Sequence, residues 1–376
     1  MENHAGKGVR NQEALRLCFI APVPPPYGGI ANWLNLICRF MENSRKAMEY
    51  TIINTAPHKR ITEGRNLWDK IFVSGIDMLR KRKELISLIK EKQIDVIHMT
   101  TSGQLAIIRD LVMLKTANRN GIPTVYHIHM GRTGQIIEGK SFEKHLLIWA
   151  LKLASAIVIL DQHSYIKLKK KWPEINAFNV ANPIDMYQMP KPVQTTKKEV
   201  VFLGWNIRSK GVEELIIAWN ATGKMFPDYC LKLIGPIREQ YRLYLNSLIK
   251  VDNVILTGEL SHETALGMLN ESSIFILPSY TEGFPNVVVE AMALKKPIIA
   301  TCVGAIPEML DENRGILIEP KSIEQIEKAL NYFLMNMEEA QNMAQRAYIY
   351  ACENYNIEKV FSEHEKIWNS LRKQQL

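Results

Sequence analysis

Short apolar runs, each closed by glycine, proline or a polar turn, recur along this chain in two series. The first comprises Leu15–Ala21, Tyr50–Asn54, Ile94–Met99, Thr124–Ile128, Ala156–Leu160 and Phe178–Ala181. The second comprises Glu199–Leu203, Cys230–Ile234, Asn253–Thr257, Ile274–Leu277, Pro297–Thr301 and Gly315–Ile318. Runs of four to eight residues rich in Val and Ile fit strands covered on both faces. Between them the apolar spacing changes to three and four. Helices are therefore expected from Ile30 (Trp33, Leu34 and Ile37 inward), over Ile76–Lys92, Leu105–Asn118 and Phe142–Ser155, after Gly211 (Leu215, Ile216 and Trp219 inward), from Asn286, and through the tail Glu338–Leu371. Strand and helix in alternation predict a parallel α/β sheet. The pattern runs twice, separated by a stretch with Pro190, Pro192 and a Thr pair, so two doubly wound domains facing a cleft are expected. The boundaries read as 1–184, a linker 185–198, 199–355 and a tail 356–376, with residues 1–13 a polar extension.

One stretch concentrates candidate chemistry. Ile274–Glu308 reads IFILPSYTEGFPNVVVEAMALKKPIIATCVGAIPE. Pro278 ends the strand, Ser279–Pro285 forms a loop, and Val287, Val288, Ala291 and Leu294 mark the inward stripe of a helix. Pro285 stands near the first turn, where a missing N–H costs nothing. The loop thus lies between a strand's carboxyl end and a helix's amino end, where free N–H groups favour an anion. Two carboxylates frame it, Glu282 and Glu290, with seven residues between them. A carboxylate only accepts hydrogen bonds, so beside an anion site the pair suits a ligand carrying hydroxyls as well as phosphates. A nucleotide-sugar has both. Spacing alone leaves open that Glu290 is a solvated helix residue and Glu282 a loop charge.

The segment PSYTEGFPNVVVEAMALKKPIIATCVGAIPE closely resembles the signature of glycosyltransferase family 4, retaining enzymes of the GT-B fold. The resemblance covers the loop, the glutamate pair, the next strand and the turn through Gly304, Pro307 and Glu308. It implies that Glu290 holds the nucleotide ribose, while Glu282 and the backbone of Gly283, Phe284 and Pro285 hold the donor sugar. Asn286 at the helix start joins the substrate-binding set. Lys295 stands where the family usually has glycine, and Ala305 where it often has a second one; both lie off the implied ligand. The implied fold is GT-B, two Rossmann-like domains with a C-terminal helix crossing back to the first. The resemblance spans almost the whole chain, strongest over Val201–Pro320.

Three further loops acquire roles in this light. Gly28–Gly29 joins the first strand to the first helix, and a glycine pair lets backbone approach a ligand with no Cβ in the way; the family has a GG loop there, facing donor phosphates and acceptor. Strand alternation puts His127 and His129 on one face of the segment Tyr126–Arg132. The family's corresponding histidine lines the donor-sugar pocket, and His129 is the better aligned. A metal is disfavoured because no third ligand has suitable spacing. In Gly204–Gly211, Lys210–Gly211 matches the segment whose cations grip the diphosphate. Trp205 occupies the family's arginine position, which leaves Arg208 as the candidate second cation.

Composition narrows the partners. Five scattered cysteines without a C-x-x-C suggest neither a zinc site nor a disulfide framework. The N-terminus lacks an apolar leader, and the longest apolar patch, Leu146–Leu160, is interrupted by Lys152, so a soluble cytoplasmic protein is expected. The net charge of +8 divides into +11 over residues 1–190 and −3 over the remainder. That asymmetry suggests an anionic partner for the first domain, with Arg80–Lys83 and Lys167–Trp172 as its basic clusters. Solubility alone is the competing explanation. No nucleic-acid recognition motif is present, so nucleic acid is not expected as a partner.

The expectation is a metal-independent retaining hexosyltransferase, because no D-x-D metal motif occurs and the cations to hold a leaving diphosphate stand in the Gly204–Gly211 loop. Its donor would be a UDP- or GDP-linked sugar, with no cofactor. Its acceptor would be a glycan or lipid-linked glycan of surface polysaccharide assembly, met at the inner face of the cytoplasmic membrane. His129, Lys210 and Glu282 are the catalytic candidates; Gly28, Gly29, Arg208, Gly283, Phe284, Pro285, Asn286 and Glu290 are the binding candidates. Competing readings are a nucleotide-sugar-binding subunit without turnover, motivated by Trp205, and a same-fold epimerase or phosphorylase.

Overall fold

The computed structural model describes residues 14–24, 28–44, 47–56, 67–195 and 197–373, with side chains of 67–74 outside the description. The extension expected at 1–13 and Pro25–Tyr27 of the first loop lie outside the described residues. The first sheet contains β1 (Leu15–Ala21), β2 (Met48–Asn54), β3 (Val96–Thr101), β4 (Thr124–Ile128), β5 (Ala156–Ile159) and β6 (Ala177–Asn179) in the order β2-β1-β3-β4-β5-β6. The second contains β7 (Glu199–Leu203), β8 (Cys230–Ile234), β9 (Val254–Gly258), β10 (Ile274–Leu277), β11 (Ile298–Thr301) and β12 (Ile316–Ile318) in the order β12-β11-β10-β7-β8-β9. All neighbours are parallel. In the second sheet the strand order reverses between β7 and β10. The loops that follow these two strands therefore open side by side at the sheet's carboxyl edge, the place where such folds bind ligands.

Strands β1, β4, β7, β8 and β10 begin and end where their apolar runs do; the other seven are displaced by one or two residues. The helix expected from Ile76 begins at Leu67. A short helix at Thr133–Glu138, set among Gly131, Gly134 and Gly139, has no apolar signature and was not expected. The helical tail consists of Met337–Asn354 and Ile357–Lys373. Between them the Tyr355 carbonyl accepts from Ile184 N–H at 2.7 Å, so the segment entering the linker takes a bond that a continuous helix would have used. The buried Lys296 ammonium ties the linker down further, donating to the carbonyls of Val193 (3.2 Å), Asn270 and Ser272 (3.3 Å).

One face of the first sheet is covered by helices Ala106–Arg119 and Phe142–Leu153. The other is covered by Gly29–Asn43 and, as the resemblance implied, by the final helix, which buries Phe361, Trp368 and Leu371. A polar relay runs through that second face. Trp368 Nε1, which can only donate, gives its proton to His98 Nδ1 at 3.0 Å. Neutral His98 must then carry its own proton on Nε2, which donates to His127 Nδ1 at 3.1 Å. The second domain has a single core around β7–β12. Among the described residues no helix is long and apolar enough to cross a membrane.

Candidate active site

The loops after β7 and β10 build the centre of the site. The first turns through a short 3₁₀ segment, Arg208–Lys210, into Gly211 at φ +70°. A Cβ on Gly211 would stand 2.1 Å from the Pro278 carbonyl oxygen, so only glycine lets this loop lie on the second. The contact continues in a backbone bond from Tyr280 N–H to Ser209 O, 2.9 Å. Lys210 is thereby delivered to Glu282: Nζ to Oε1 is 2.5 Å, with both side chains largely shielded. The Ser279 hydroxyl donates to the same oxygen at 2.6 Å, and Ser279 O accepts from Thr301 at 2.6 Å. The carboxylate is fixed from three strand ends before any ligand arrives.

Helix Asn286–Ala293 starts directly behind this pair, with Pro285 as its first flanking residue and no side chain capping its N–H groups. Free N–H groups and the helix dipole make its start attractive to an anion. One turn on, Glu290 accepts from or donates to His262 Nε2 at 3.1 Å. Burial raises the Glu290 carboxyl above the ordinary carboxylate value, and the neighbouring imidazole opposes that shift. Asn286 Oδ1 accepts from Asn182 of the first domain at 3.1 Å. A cavity of about 600 Å³ opens here, walled by Asn286, Glu290 and His262 on one side and by Asn32, Asn35 and Arg39 of the first helix on the other.

The first domain closes on this centre. A Cβ on Gly131 would lie 1.9 Å from the Glu282 carbonyl oxygen, so the loop after β4 and the loop after β10 touch through backbone alone. Beside them Gln162 N–H donates to Glu308 across the domains at 3.2 Å. His129 precedes this contact. Burial, helped by His364, pushes its imidazole down to about 3, so it is neutral at physiological pH, and its Nε2 has no partner among the described residues. A Cβ on Gly28 or Gly29 would meet nothing within 4 Å among the described residues. Arg208 stands at the rim, its side chain 79 % exposed and 3.9 Å from Glu213. Phe284 is buried, and the exposed Trp205 lies at the end of β7.

Ser279, His262, Asn182 and Gly131 were not singled out as site residues. Ser279 had a signal, standing three residues before Glu282 in the loop. His262 and Asn182 had none, because each meets its partner from another element. Gly131 followed the paired histidines, but the reason for glycine there is the opposing loop. Among the described residues no group of three or more His, Cys, Asp or Glu is placed to hold a metal ion.

Residues 187–350 match the family model described as glycosyl transferases group 1. An uncharacterized glycosyltransferase of Haemophilus influenzae is 26 % identical over 288 residues, 76 % of this chain and 79 % of that protein. The fold is GT-B, and the sequence is similar to glycosyltransferases. A Staphylococcus aureus capsular polysaccharide biosynthesis glycosyltransferase, CapM, is 32 % identical over 139 residues, 35 % of this chain and 36 % of its own. The crystal structure of Anabaena HepE in complex with UDP superposes with a TM-score of 0.71 at 16 % identity, over 95 % of this chain and all of that one. The two-domain architecture is thus shared with a protein solved in complex with UDP.

Proposed function

We propose that this chain is a metal-independent, retaining hexosyltransferase of the family 4 kind, moving a sugar from a UDP- or GDP-linked donor to a lipid-linked glycan in surface-polysaccharide assembly. The Lys210–Glu282 pair carries the reading: a cation and a carboxylate fixed together at the switch point, beside an open helix start. Breaking the anomeric C–O bond pushes negative charge onto the β-phosphate. Lys210 and the N–H groups of the helix start are the preorganised groups that would hold that charge. Glu290 would accept from the ribose hydroxyls, with His262 orienting its carboxylate. Glu282 and the backbone of Gly283–Pro285 would take the sugar, and neutral His129 would offer its unpartnered nitrogen to a sugar hydroxyl. Gly28–Gly29 would let the diphosphate approach the first helix. Retention is expected by front-face attack, the leaving phosphate taking the acceptor proton, so no carboxylate base is assigned. UDP bound to the HepE fold supports the donor class, and the CapM likeness supports polysaccharide assembly. The +11 charge of the first half supports an anionic acceptor at the inner face of the cytoplasmic membrane.

A nucleotide and nucleotide-sugar thermal-shift screen tests this, because a ligand bound only by the folded state raises the apparent melting temperature. At least one nucleoside diphosphate or its sugar is expected to raise it. Glu290→Ala is expected to weaken that ligand by about 10- to 100-fold, the scale of a lost charged hydrogen bond to buried hydroxyls. No shift with any of these ligands, or an unchanged affinity in the variant, would refute the assignment.

A further inference from the structure

The two basic clusters of the first domain are largely occupied within the fold. Lys81 is buried and ion-paired with Asp77, and Arg82 donates to Thr116 at 3.2 Å. Lys167 pairs with Glu138 at 2.7 Å, Lys169 donates to the carbonyls of Pro173 and Ile175 (2.7 and 2.9 Å), and Lys171 donates to Ile137 O at 2.9 Å. Trp172 packs against the core. The surface with free amphipathic character lies elsewhere.

Helices Ala106–Arg119 and Phe142–Leu153 are crossovers on the same face of the first sheet, so they run side by side in one direction. Gln104 N–H meets Glu143 at one end (2.7 Å), the Lys115 ammonium lies over the Trp149 ring at 5.9 Å further along, and Asn118 reaches Leu153 O (3.5 Å) at the other. Each carries an outward stripe at helical spacing. Leu105 (81 % exposed), Ile108 (44 %) and Lys115 lie along one, Phe142 (74 %), Trp149 (52 %) and Lys152 along the other. Their acidic residues point elsewhere: Asp110 is buried against Tyr126 and Arg109, and Glu143 is held by Gln104 and Arg132. The combined face is apolar at the helix starts and cationic beyond them. The helix starts lie at the carboxyl edge of the sheet, the edge that carries His129 and Gly131 to the cleft.

We propose that this helix pair is a docking surface for an anionic lipid bilayer. Leu105 and Phe142 enter the interface, Trp149 lies at headgroup level, and Lys115 and Lys152 meet anionic headgroups. The surface rests on the reading of a lipid-linked acceptor, which it would present at the cleft edge rather than from the far side of the domain.

Co-sedimentation of the full chain with phosphatidylcholine vesicles, with and without phosphatidylglycerol, tests it. Wild type is expected to bind the anionic vesicles and to release in high salt. Leu105→Ser/Phe142→Ser and Lys115→Glu/Lys152→Glu are each expected to lose at least tenfold in partitioning, while keeping the nucleotide thermal shift that reports an intact fold. Lys83→Glu/Lys170→Glu, drawn from the two sequence clusters, is expected to lose less than twofold. Binding unaffected by the first two pairs, or lost equally in the third, overturns the surface. So does a wild type that ignores anionic vesicles but dimerises through Phe142. Vesicle binding by this face together with transfer only to water-soluble acceptors would uphold the surface and remove the lipid acceptor. Transfer to a detergent-solubilised lipid acceptor without vesicle binding would do the reverse.

Discussion

Lys210→Ala is expected to lower kcat by about 10²- to 10³-fold while changing the KM for donor far less. In the proposed role Lys210 meets a charge that is fully developed only as the sugar leaves, so its loss falls on the transition state. A loss of that size corresponds to about 3–4 kcal/mol in the barrier. The geometry adds a second consequence. Lys210 is 2.5 Å from Glu282, and removing it leaves that shielded carboxylate with the Ser279 hydroxyl alone. An uncompensated negative charge beside a leaving phosphate is itself harmful. The double variant Lys210→Ala/Glu282→Gln is therefore expected to recover part of the loss, and a kinetic double-mutant cycle measures the coupling directly. Strict additivity of the two substitutions would count against the pair acting as a unit.

The first domain is expected to lose stability steeply in mild acid. His98, His127 and His364 are buried together with Trp33 and Trp368, and the half-buried His129 packs edge-on against Trp33. Burial lowers all four, His129 and His364 to about 3. A histidine depressed in the folded state stays neutral there while the unfolded chain protonates near 6.5. The stability it contributes is complete above that pH and is lost as pH falls from 6.5 towards the folded value. The slope is about 1.4 kcal/mol per pH unit for each histidine that remains neutral. The relay sharpens the effect, because a protonated His98 would present an N–H to the N–H of Trp368. His364 offers the test, since neither of its nitrogens has a hydrogen-bond partner among the described residues. His364→Leu is expected to unfold with a slope lower by one proton and to be more stable at pH 5, as read by tryptophan fluorescence in urea. An unchanged pH dependence would show that His364 is protonated in the folded chain.

The buried strands were legible because both faces of a doubly wound sheet are covered, so each reads as an unbroken apolar run. The centre of the site was legible for a related reason. Glu282, Gly283–Pro285 and Glu290 lie on one strand–loop–helix unit, and their spacing is local. What pairs them is not local. Lys210 comes from 72 residues away, His262 from 28, and Trp368 meets His98 across 270. The basic clusters are a further case of pairing that is not local. A run such as Arg80–Lys83 displays its charge in sequence, but Lys81 and Arg82 turn to partners that only the packed helices supply. The exposed stripes on the neighbouring helices pass unnoticed, because Leu105 and Phe142 look like ordinary core positions until the fold turns them outward.

The most direct measurement of the central claim is release of nucleoside diphosphate from a nucleotide-sugar, with acceptor present, in buffer and in excess EDTA. Leaving-group charge held by Lys210 and a helix start predicts the same rate in both. Release that stops in EDTA and returns with Mg²⁺ or Mn²⁺ would contradict the account, as would no release from any UDP- or GDP-linked sugar.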